Sequence, residues 1–136
     1  MSEQLEDLQI GQRVEREFAI SSDMVDSFVR LTGDTAPVHM DSATARQLGF
    51  PRPIVHGLLV TSLYSGLLGM RLPGPKSVIM KLASDMLQPV YVGDRLLVSV
   101  TVSRISAAAR AVGLDLVAKR NDVTVNRGSA TCLVRG

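Results

Sequence analysis

The second half of the chain is dominated by apolar and polar positions that alternate with a period of two. The alternation is clearest at Leu96, Val98, Val100 and Val102. It is typical of antiparallel strands that bury one face and leave the other in contact with solvent. We therefore predict strands over residues 77 to 86, 96 to 103, 112 to 118 and 123 to 134, the last with a bulge at Gly128.

The first half of the chain carries helical spacing and helix-end signals. A strand is predicted over residues 13 to 20, and a helix follows over residues 22 to 31. Ser21 is a favourable residue to cap the start of this helix, and Gly33 is a favourable residue to end it. A second, shorter helix is predicted over residues 42 to 48.

Residues 57 to 69 form the longest apolar helical segment. Its polar side chains are all small, namely Thr61, Ser62 and Ser65. A helix that is apolar nearly all round belongs inside a protein. The chain is therefore predicted to be one α+β domain over residues 1 to 136, in which an antiparallel sheet packs against this helix.

The composition is that of an ordinary folded protein, with 46% hydrophobic and 21% charged residues. The apolar segment is too short to span a bilayer, so no membrane association is predicted. The start, MSEQLEDLQIGQ, is acidic and lacks the basic and apolar parts of a signal peptide. The single cysteine, Cys132, has no partner for an intrachain disulfide. These features predict a cytoplasmic protein with a small, structural core cysteine.

The charge pattern argues against one class of partner. The formal net charge is +2 and the isoelectric point is near 9.0, but lysines and arginines are scattered from Arg13 to Arg135 and aromatic residues make up only 4%. A nucleic-acid surface needs clustered positive charge and rings on which bases stack. We therefore predict no nucleic-acid binding, whereas a small anionic ligand is compatible with the charge.

Asp34 and His39 lie on either side of Pro37, in the segment that leaves the first helix. Because Pro37 prevents a continuous helix, both residues are predicted to lie on a loop. A carboxylate and an imidazole that meet above an apolar core can bind one water molecule and move its proton. The alternative is a helix-capping aspartate with a hydrogen-bonded structural histidine, and the spacing leaves both open.

Gly57 begins the apolar helix after an extended segment held by Pro51 and Pro53. The N–H at a helix start has no intrahelical acceptor, and a residue without Cβ lets a ligand carbonyl approach it. Gly57 is therefore a candidate oxyanion donor, and close packing at the helix entry is its alternative role. His56 is predicted to be structural. Ser62 either faces the loop or simply lets the sheet approach the helix.

Two motifs give this segment a specific likeness. They are GDTAPVHMD, at residues 33 to 41, and FPRPIVHGLL, at residues 50 to 59. Together with the following SLYSGLLG, they resemble the MaoC-like hydratase/dehydratase family, and especially its (R)-specific enoyl-CoA hydratases. The likeness extends to LEDL near the start and to PVYVGD in the second half, so it covers almost the whole chain.

The resemblance implies a hotdog fold, in which an antiparallel sheet wraps one long central helix and two subunits pair through their sheets into a homodimer. It implies hydration of a 2-enoyl thioester, or the reverse dehydration, with an acyl thioester of coenzyme A or acyl carrier protein as substrate. By the same resemblance, Asp34 and His39 hold and activate the water, the N–H of Gly57 polarises the thioester carbonyl, and Ser62 supports the site. No cofactor is expected. No metal is expected either, since two histidines at this separation form a poor metal site.

One departure from the family pattern lies within the first motif. Many family members carry Asn two residues after the aspartate, where this chain has Ala36. The missing amide leaves open a second function, a non-catalytic module that binds acyl thioesters or carrier protein. A hotdog thioesterase is a third alternative, although the central helix lacks the acidic residue that such enzymes commonly place there. The acyl chain length stays open, and the residues that could line an acyl tunnel are Leu58, Leu59, Leu63, Tyr64 and Met86.

Overall fold

The structure, a computed structural model, describes residues 4–136. Residues 1 to 3, where the segment used to exclude a signal peptide begins, lie outside the described part. After a 3-10 turn at Leu5–Asp7, the helices are α1 (Ser22–Thr32), α2 (Pro37–Met40), α3 (Ser42–Gln47), α4 (Gly57–Ser62) and α5 (Tyr64–Met70). The strands are β1 (Arg13–Ala19), β2 (Ser77–Met86), β3 (Arg95–Ser106), β4 (Ala111–Arg120) and β5 (Val123–Val134).

The five strands form one antiparallel sheet in the order β1-β3-β4-β5-β2. The alternating residues of the central strand, Val112, Leu114, Leu116 and Ala118, are fully buried. The helix α5 packs against β1, β2 and β3, and the face of β3 that it covers carries the buried apolar residues Leu96, Val98, Val100 and Val102. The predicted α+β class is confirmed, and a sheet packed around a central helical segment is the hotdog arrangement.

Local signals set the ends of α1 as predicted. The Ser21 Oγ accepts a hydrogen bond from the N–H of Met24 at 3.2 Å, which satisfies one of the free donors of the first turn. Gly33 ends the helix with φ of 73°, a left-handed conformation that favours glycine. This turn directs the chain away from the helix axis and places Asp34 just beyond the helix end.

The single central helix predicted over residues 57 to 69 is interrupted, so that prediction needs a correction. The Ser62 hydroxyl donates to the Leu59 carbonyl at 2.6 Å, and this carbonyl is the regular helical acceptor for the Leu63 N–H. The Leu63 N–H instead donates to the Val60 carbonyl at 3.1 Å, one residue closer. The resulting tight turn separates α4 from α5.

The central helical segment is also less buried than predicted. Leu59, Val60 and Tyr64 lie in the core, but Leu58 is 65% exposed and Met70 is 67% exposed. The sheet covers one side of the segment, and the opposite side lies at the surface of the single chain. The all-round apolar pattern therefore covers more surface than the fold of this chain buries.

The predicted bulge in β5 is displaced from Gly128. The register of β4 with β5 shifts between Ala118 and Lys119, which leaves Val125 as the extra residue. Gly128 pairs in regular register, and its glycine has another cause: a Cβ there would overlap the Ala83 carbonyl of the neighbouring strand. The glycine thus marks a close backbone approach between β5 and β2.

A buried polar network fixes the helical segment on the sheet. The Tyr64 hydroxyl donates to the Asn126 Oδ1 at 2.9 Å, and the Asn126 Nδ2 donates to the Thr61 Oγ1 at 3.2 Å. The Thr61 and Ser84 hydroxyls are 2.8 Å apart. Because α4, α5, β2 and β5 each supply one member, the network positions the start of α4 relative to the sheet.

The buried Cys132 predicts a loss of stability at alkaline pH. Burial raises the pKa of its thiol from the ordinary 9.0 to about 11, so the folded protein holds the proton more tightly than the unfolded chain. This contribution is fully present below about pH 9 and is lost as the pH rises towards about 11. Urea unfolding between these pH values is expected to show a shallower decline in Cys132→Ala than in the wild type. Equal slopes would contradict the prediction.

Candidate active site

Asp34 lies on the short loop between α1 and α2, as predicted. Its N–H donates to the Thr32 Oγ1 at 3.2 Å, and its Oδ1 accepts from the Ala36 N–H at 3.1 Å. These two bonds orient the carboxylate within its own loop. Among residues 4–136, no further hydrogen bond engages the second carboxylate oxygen, which is therefore the oxygen that can receive a water proton.

His39 lies in the one-turn helix α2 rather than on an open loop. Pro37 occupies the first position of that helix, where a missing N–H costs nothing, so proline starts a helix here as well as interrupting one. The His39 Nδ1 lies 2.8 Å from the Ile54 carbonyl oxygen. Because a carbonyl oxygen only accepts, the hydrogen bond assigns the proton to Nδ1 and leaves the Nε2 lone pair available as a base.

His56 joins the other two residues into one cluster. Its side chain is 2% exposed, and its Nε2 donates to the Asp34 carbonyl at 2.9 Å. Its ring stacks on His39 with 3.9 Å between centroids and 28° between planes, and Phe28 lies on it at 4.9 Å. The sequence predicted a structural role for His56, by packing or by hydrogen bonding, and the structure shows contacts of both kinds. The stack on His39 was not predicted, and the only sequence signal near it is the position of His56 next to Gly57.

The side chains of Asp34, His39 and His56 also raise the question of a metal site, since one ligand atom from each lies within 4.8 Å of the others. Each imidazole already uses one nitrogen on a backbone carbonyl. The nitrogen lone pair that remains on each imidazole points outward in the plane of its ring, and the two rings are stacked. Two such lone pairs cannot both point at one ion that lies about 2 Å from each nitrogen. The cluster therefore fits proton transfer better than metal binding, and the expectation of no metal stays a prediction.

Gly57 begins α4 as predicted, so its N–H lacks an intrahelical acceptor. It borders an apolar cleft of about 300 Å³ whose lining includes Phe50, Ile54, Val60, Met86, Val90 and Val125. Met86 lies directly over Gly57, and a Cβ at this position would come within 2.6 Å of the Met86 Cγ. The cleft is at the small end of ligand-binding cavities and suits an apolar chain.

Ser62 is placed apart from this cluster. Its hydroxyl is engaged by the Leu59 carbonyl, and its side chain lines a second groove of about 430 Å³ between α1 and α4, beside Phe28 and Leu31. This groove is larger than the apolar cleft, but it contains neither Gly57 nor Ile54, whose carbonyl holds His39. The structure thus brings Asp34, His39 and His56 together next to Gly57 and shows no direct contact from Ser62 to them.

Three chemical abilities meet around Gly57, which lines the apolar cleft and directly follows His56, although the side chains of Asp34, His39 and His56 are not part of the cleft lining. A carboxylate oxygen and an imidazole Nε2 can exchange protons with a bound water, and a helix-start N–H can stabilise negative charge on a carbonyl oxygen. The apolar cleft beside Gly57 can hold the hydrocarbon part of a ligand. Such a set suits proton transfer at a carbon chain that carries a polarised carbonyl.

Comparisons with known proteins agree with this set of features. A family model described as a MaoC-like domain matches residues 6–126. An (R)-specific enoyl-CoA hydratase of Aeromonas caviae is 40% identical over 96 residues, which are 71% of this chain and 72% of that protein. A 3-hydroxybutyryl-CoA dehydratase of Methylorubrum extorquens is 34% identical and covers 92% of this chain and 80% of its own length.

A solved structure shows the same similarity in three dimensions. The (R)-hydratase from A. caviae involved in PHA biosynthesis superimposes with a TM-score of 0.88 at 32% sequence identity. The superposition covers 94% of this chain and 98% of that chain. The shared fold therefore extends over nearly the entire length of both proteins.

Proposed function

Because the chain belongs to the MaoC-like domain family, we propose that it is a hydro-lyase that adds water reversibly to 2-enoyl thioesters to give (R)-3-hydroxyacyl thioesters. One observation carries this proposal: the Asp34 carboxylate and the His39 ring belong to one side-chain cluster, whose third member, His56, directly precedes Gly57. The substrate is an acyl thioester of coenzyme A or acyl carrier protein. A cytoplasmic role in fatty acid metabolism is part of the proposal.

Asp34 and His39 divide the movement of protons in the proposed reaction. Asp34 takes a proton from the water as its oxygen bonds to the β-carbon of the substrate. The electron pair of the double bond moves towards the α-carbon and the thioester oxygen. The α-carbon receives a proton from a water whose O–H donates to the His39 Nε2, and the proton taken up by Asp34 replaces it, so the product gains one complete water molecule and both side chains return to their starting states.

Gly57 is assigned to the negative charge that develops on the thioester oxygen. Its N–H lies at the start of α4, and the adjacent His56 ties it to the loop that carries Asp34. A preorganised backbone donor of this kind stabilises the enolate-like transition state more than the neutral carbonyl. The acyl chain then occupies the apolar cleft beside Met86.

The alanine at position 36, where many relatives have asparagine, still allows the Asp34 carboxylate to be held in place. The group that holds the Asp34 Oδ1 is the backbone N–H of Ala36, which any residue except proline supplies. The side-chain amide found in many relatives is therefore not needed for this contact. This observation favours catalysis over the second candidate, a module that binds acyl thioesters without turning them over.

Turnover of short and medium 2-enoyl-CoA substrates tests the proposal. The loss of enoyl-thioester absorbance is expected, with (R)-3-hydroxyacyl-CoA as the product in chiral chromatography. Calorimetric binding of acyl-CoA without turnover of any enoyl or hydroxyacyl thioester would support the binding module instead. Release of free coenzyme A would identify a thioesterase.

The Gly57→Ala variant is expected to fold and to lose about tenfold to a hundredfold in kcat. The added Cβ keeps the N–H donor but meets Met86, so either Met86 or the bound carbonyl must shift. Steady-state hydration assays measure the effect. In the double variant Gly57→Ala/Met86→Ala, which removes the obstructing side chain, kcat should recover. A single variant with wild-type kcat would contradict the assigned role of Gly57.

A homodimer that pairs through β2 is the proposed assembly. This strand lies at one edge of the sheet and exposes Val78 and Met80, the latter by 60%. The opposite edge, β1, is protected by charged side chains. Light scattering after size-exclusion chromatography is expected to give a dimer for the wild type and for Arg16→Glu on β1, and a monomer for Met80→Glu. A wild-type monomer at micromolar concentration would contradict this assembly.

A further inference from the structure

Buried polar atoms normally have a hydrogen-bond partner, and one nitrogen of the His56 imidazole does not. Its Nδ1 is buried and has no hydrogen-bond partner among the described residues. An unpaired buried nitrogen costs free energy, and a leucine or methionine of similar size would avoid this cost. The contacts made by the rest of the ring should therefore explain why a histidine is present.

These contacts reach two parts of the proposed site. The Nε2–H of His56 donates to the Asp34 carbonyl at 2.9 Å, which holds the backbone of the loop that presents the carboxylate. The ring face of His56 stacks at 3.9 Å on His39, whose Nδ1 is already held by the Ile54 carbonyl. The stack prevents the His39 ring from turning about its bonds, so its Nε2 keeps one direction.

The location of His56 connects these two contacts to a third group. It is the residue before Gly57, at the cap position of α4, so its backbone is rigidly joined to the proposed carbonyl-binding N–H. On the other side the ring rests against Phe28 of α1. Only a flat ring with an N–H at its far end can make the stack and the carbonyl bond together.

We infer that His56 is a positioning residue for the proposed hydration: one imidazole holds the Asp34 loop, the His39 ring and the start of α4 in a fixed relative arrangement. This inference rests on the proposed function. His56 neither touches the substrate nor transfers a proton in it. Its unpaired Nδ1 is the consequence of using the opposite nitrogen for the Asp34 carbonyl.

Two variants separate the two contacts. His56→Gln places an amide N–H where the Nε2–H lies but removes the ring, whereas His56→Phe keeps a ring and removes the donor. Each is expected to lower kcat by about tenfold to a hundredfold with KM changed less than about threefold, because misplaced groups lose rate more than binding. Val112→Ala, which weakens the core of β4 away from the cluster, is the stability-matched control and should keep the wild-type kcat.

The outcomes distinguish positioning from general stability. If kcat per folded molecule is unchanged in both His56 variants, or falls equally in Val112→Ala, the inference is overturned. A wild type without any turnover would instead contradict the proposed function. NMR correlation of ring protons with ring nitrogens in the wild type needs no variant: a proton on Nε2 of His56 and on Nδ1 of His39 is expected, and the opposite tautomers would overturn the inference.

Discussion

Replacing Asp34 with asparagine is expected to lower kcat for enoyl-thioester hydration by about 10²–10⁴-fold, with a much smaller change in KM. The asparagine Oδ1 can still accept the hydrogen bond from the Ala36 N–H, so the loop should keep its conformation. The amide cannot take a proton from water, which removes the proposed base and little else. The loss of enoyl absorbance at saturating substrate measures the effect.

A matched control is available in the helix that precedes the Asp34 loop. Asp23 is an exposed carboxylate in the first turn of α1, and Asp23→Asn makes the same chemical change away from the cluster. It should retain wild-type kcat. If Asp34→Asn also retains it, Asp34 is not the base, whatever the activity of the protein.

The His39→Gln variant is expected to produce a loss of similar size, about 10²–10⁴-fold in kcat. The glutamine amide nitrogen has no lone pair with which to hold a water, so the α-carbon loses the proposed route by which it receives a proton. His39→Asn adds a second test, because its amide N–H can imitate the Nδ1–H bond to the Ile54 carbonyl. If His39→Asn restores the rate, the role of His39 is to support the loop and not to move a proton.

Combining the two changes tests whether the residues work as a unit. Groups that act in one chemical step show losses that do not add, since removing either one already disables the step. The double variant Asp34→Asn/His39→Gln should therefore be about as slow as the slower single variant. Losses that multiply would indicate two independent contributions.

The fold was predictable where a local pattern and the tertiary structure require the same thing. The alternation at Val98 and Val100 predicts a half-buried strand because one face of β3 lies under the helical segment. The helix α1 was predictable for a similar reason, since Ser21 and Gly33 satisfy its ends without help from distant residues.

The departures arise where several arrangements of the same residues compete. The break after Ser62 depends on which carbonyl its hydroxyl selects, and the bulge at Val125 depends on the register between two strands. The exposure of Leu58 reflects how much of the helical segment the sheet can cover. None of these is encoded in spacing along the chain.

The candidate site also contains residues that the sequence indicated and contacts that it did not. Spacing made Asp34, His39 and Gly57 candidates but left their roles open, and it was the family resemblance of the two motifs that assigned the roles. The stacking of His56 on His39 was not predictable, since it joins segments held in contact by the long-range hydrogen bond to the Asp34 carbonyl. Ser62 shows the converse: its motif position suggested the site, but its hydroxyl is used within its own helix.

The single buried thiol offers an internal measure of how often the sheet opens. Cys132 lies on β5 between β4 and β2, opposite Val112 and Ile79, so a reagent reaches it only when β5 separates from a neighbour. With a pKa of about 11, the closed state presents almost no thiolate at neutral pH. The rate of alkylation in native buffer therefore reports the free energy of that opening, as hydrogen exchange does, but for one known position. Slower alkylation with a bound acyl thioester would show that the ligand holds the sheet closed.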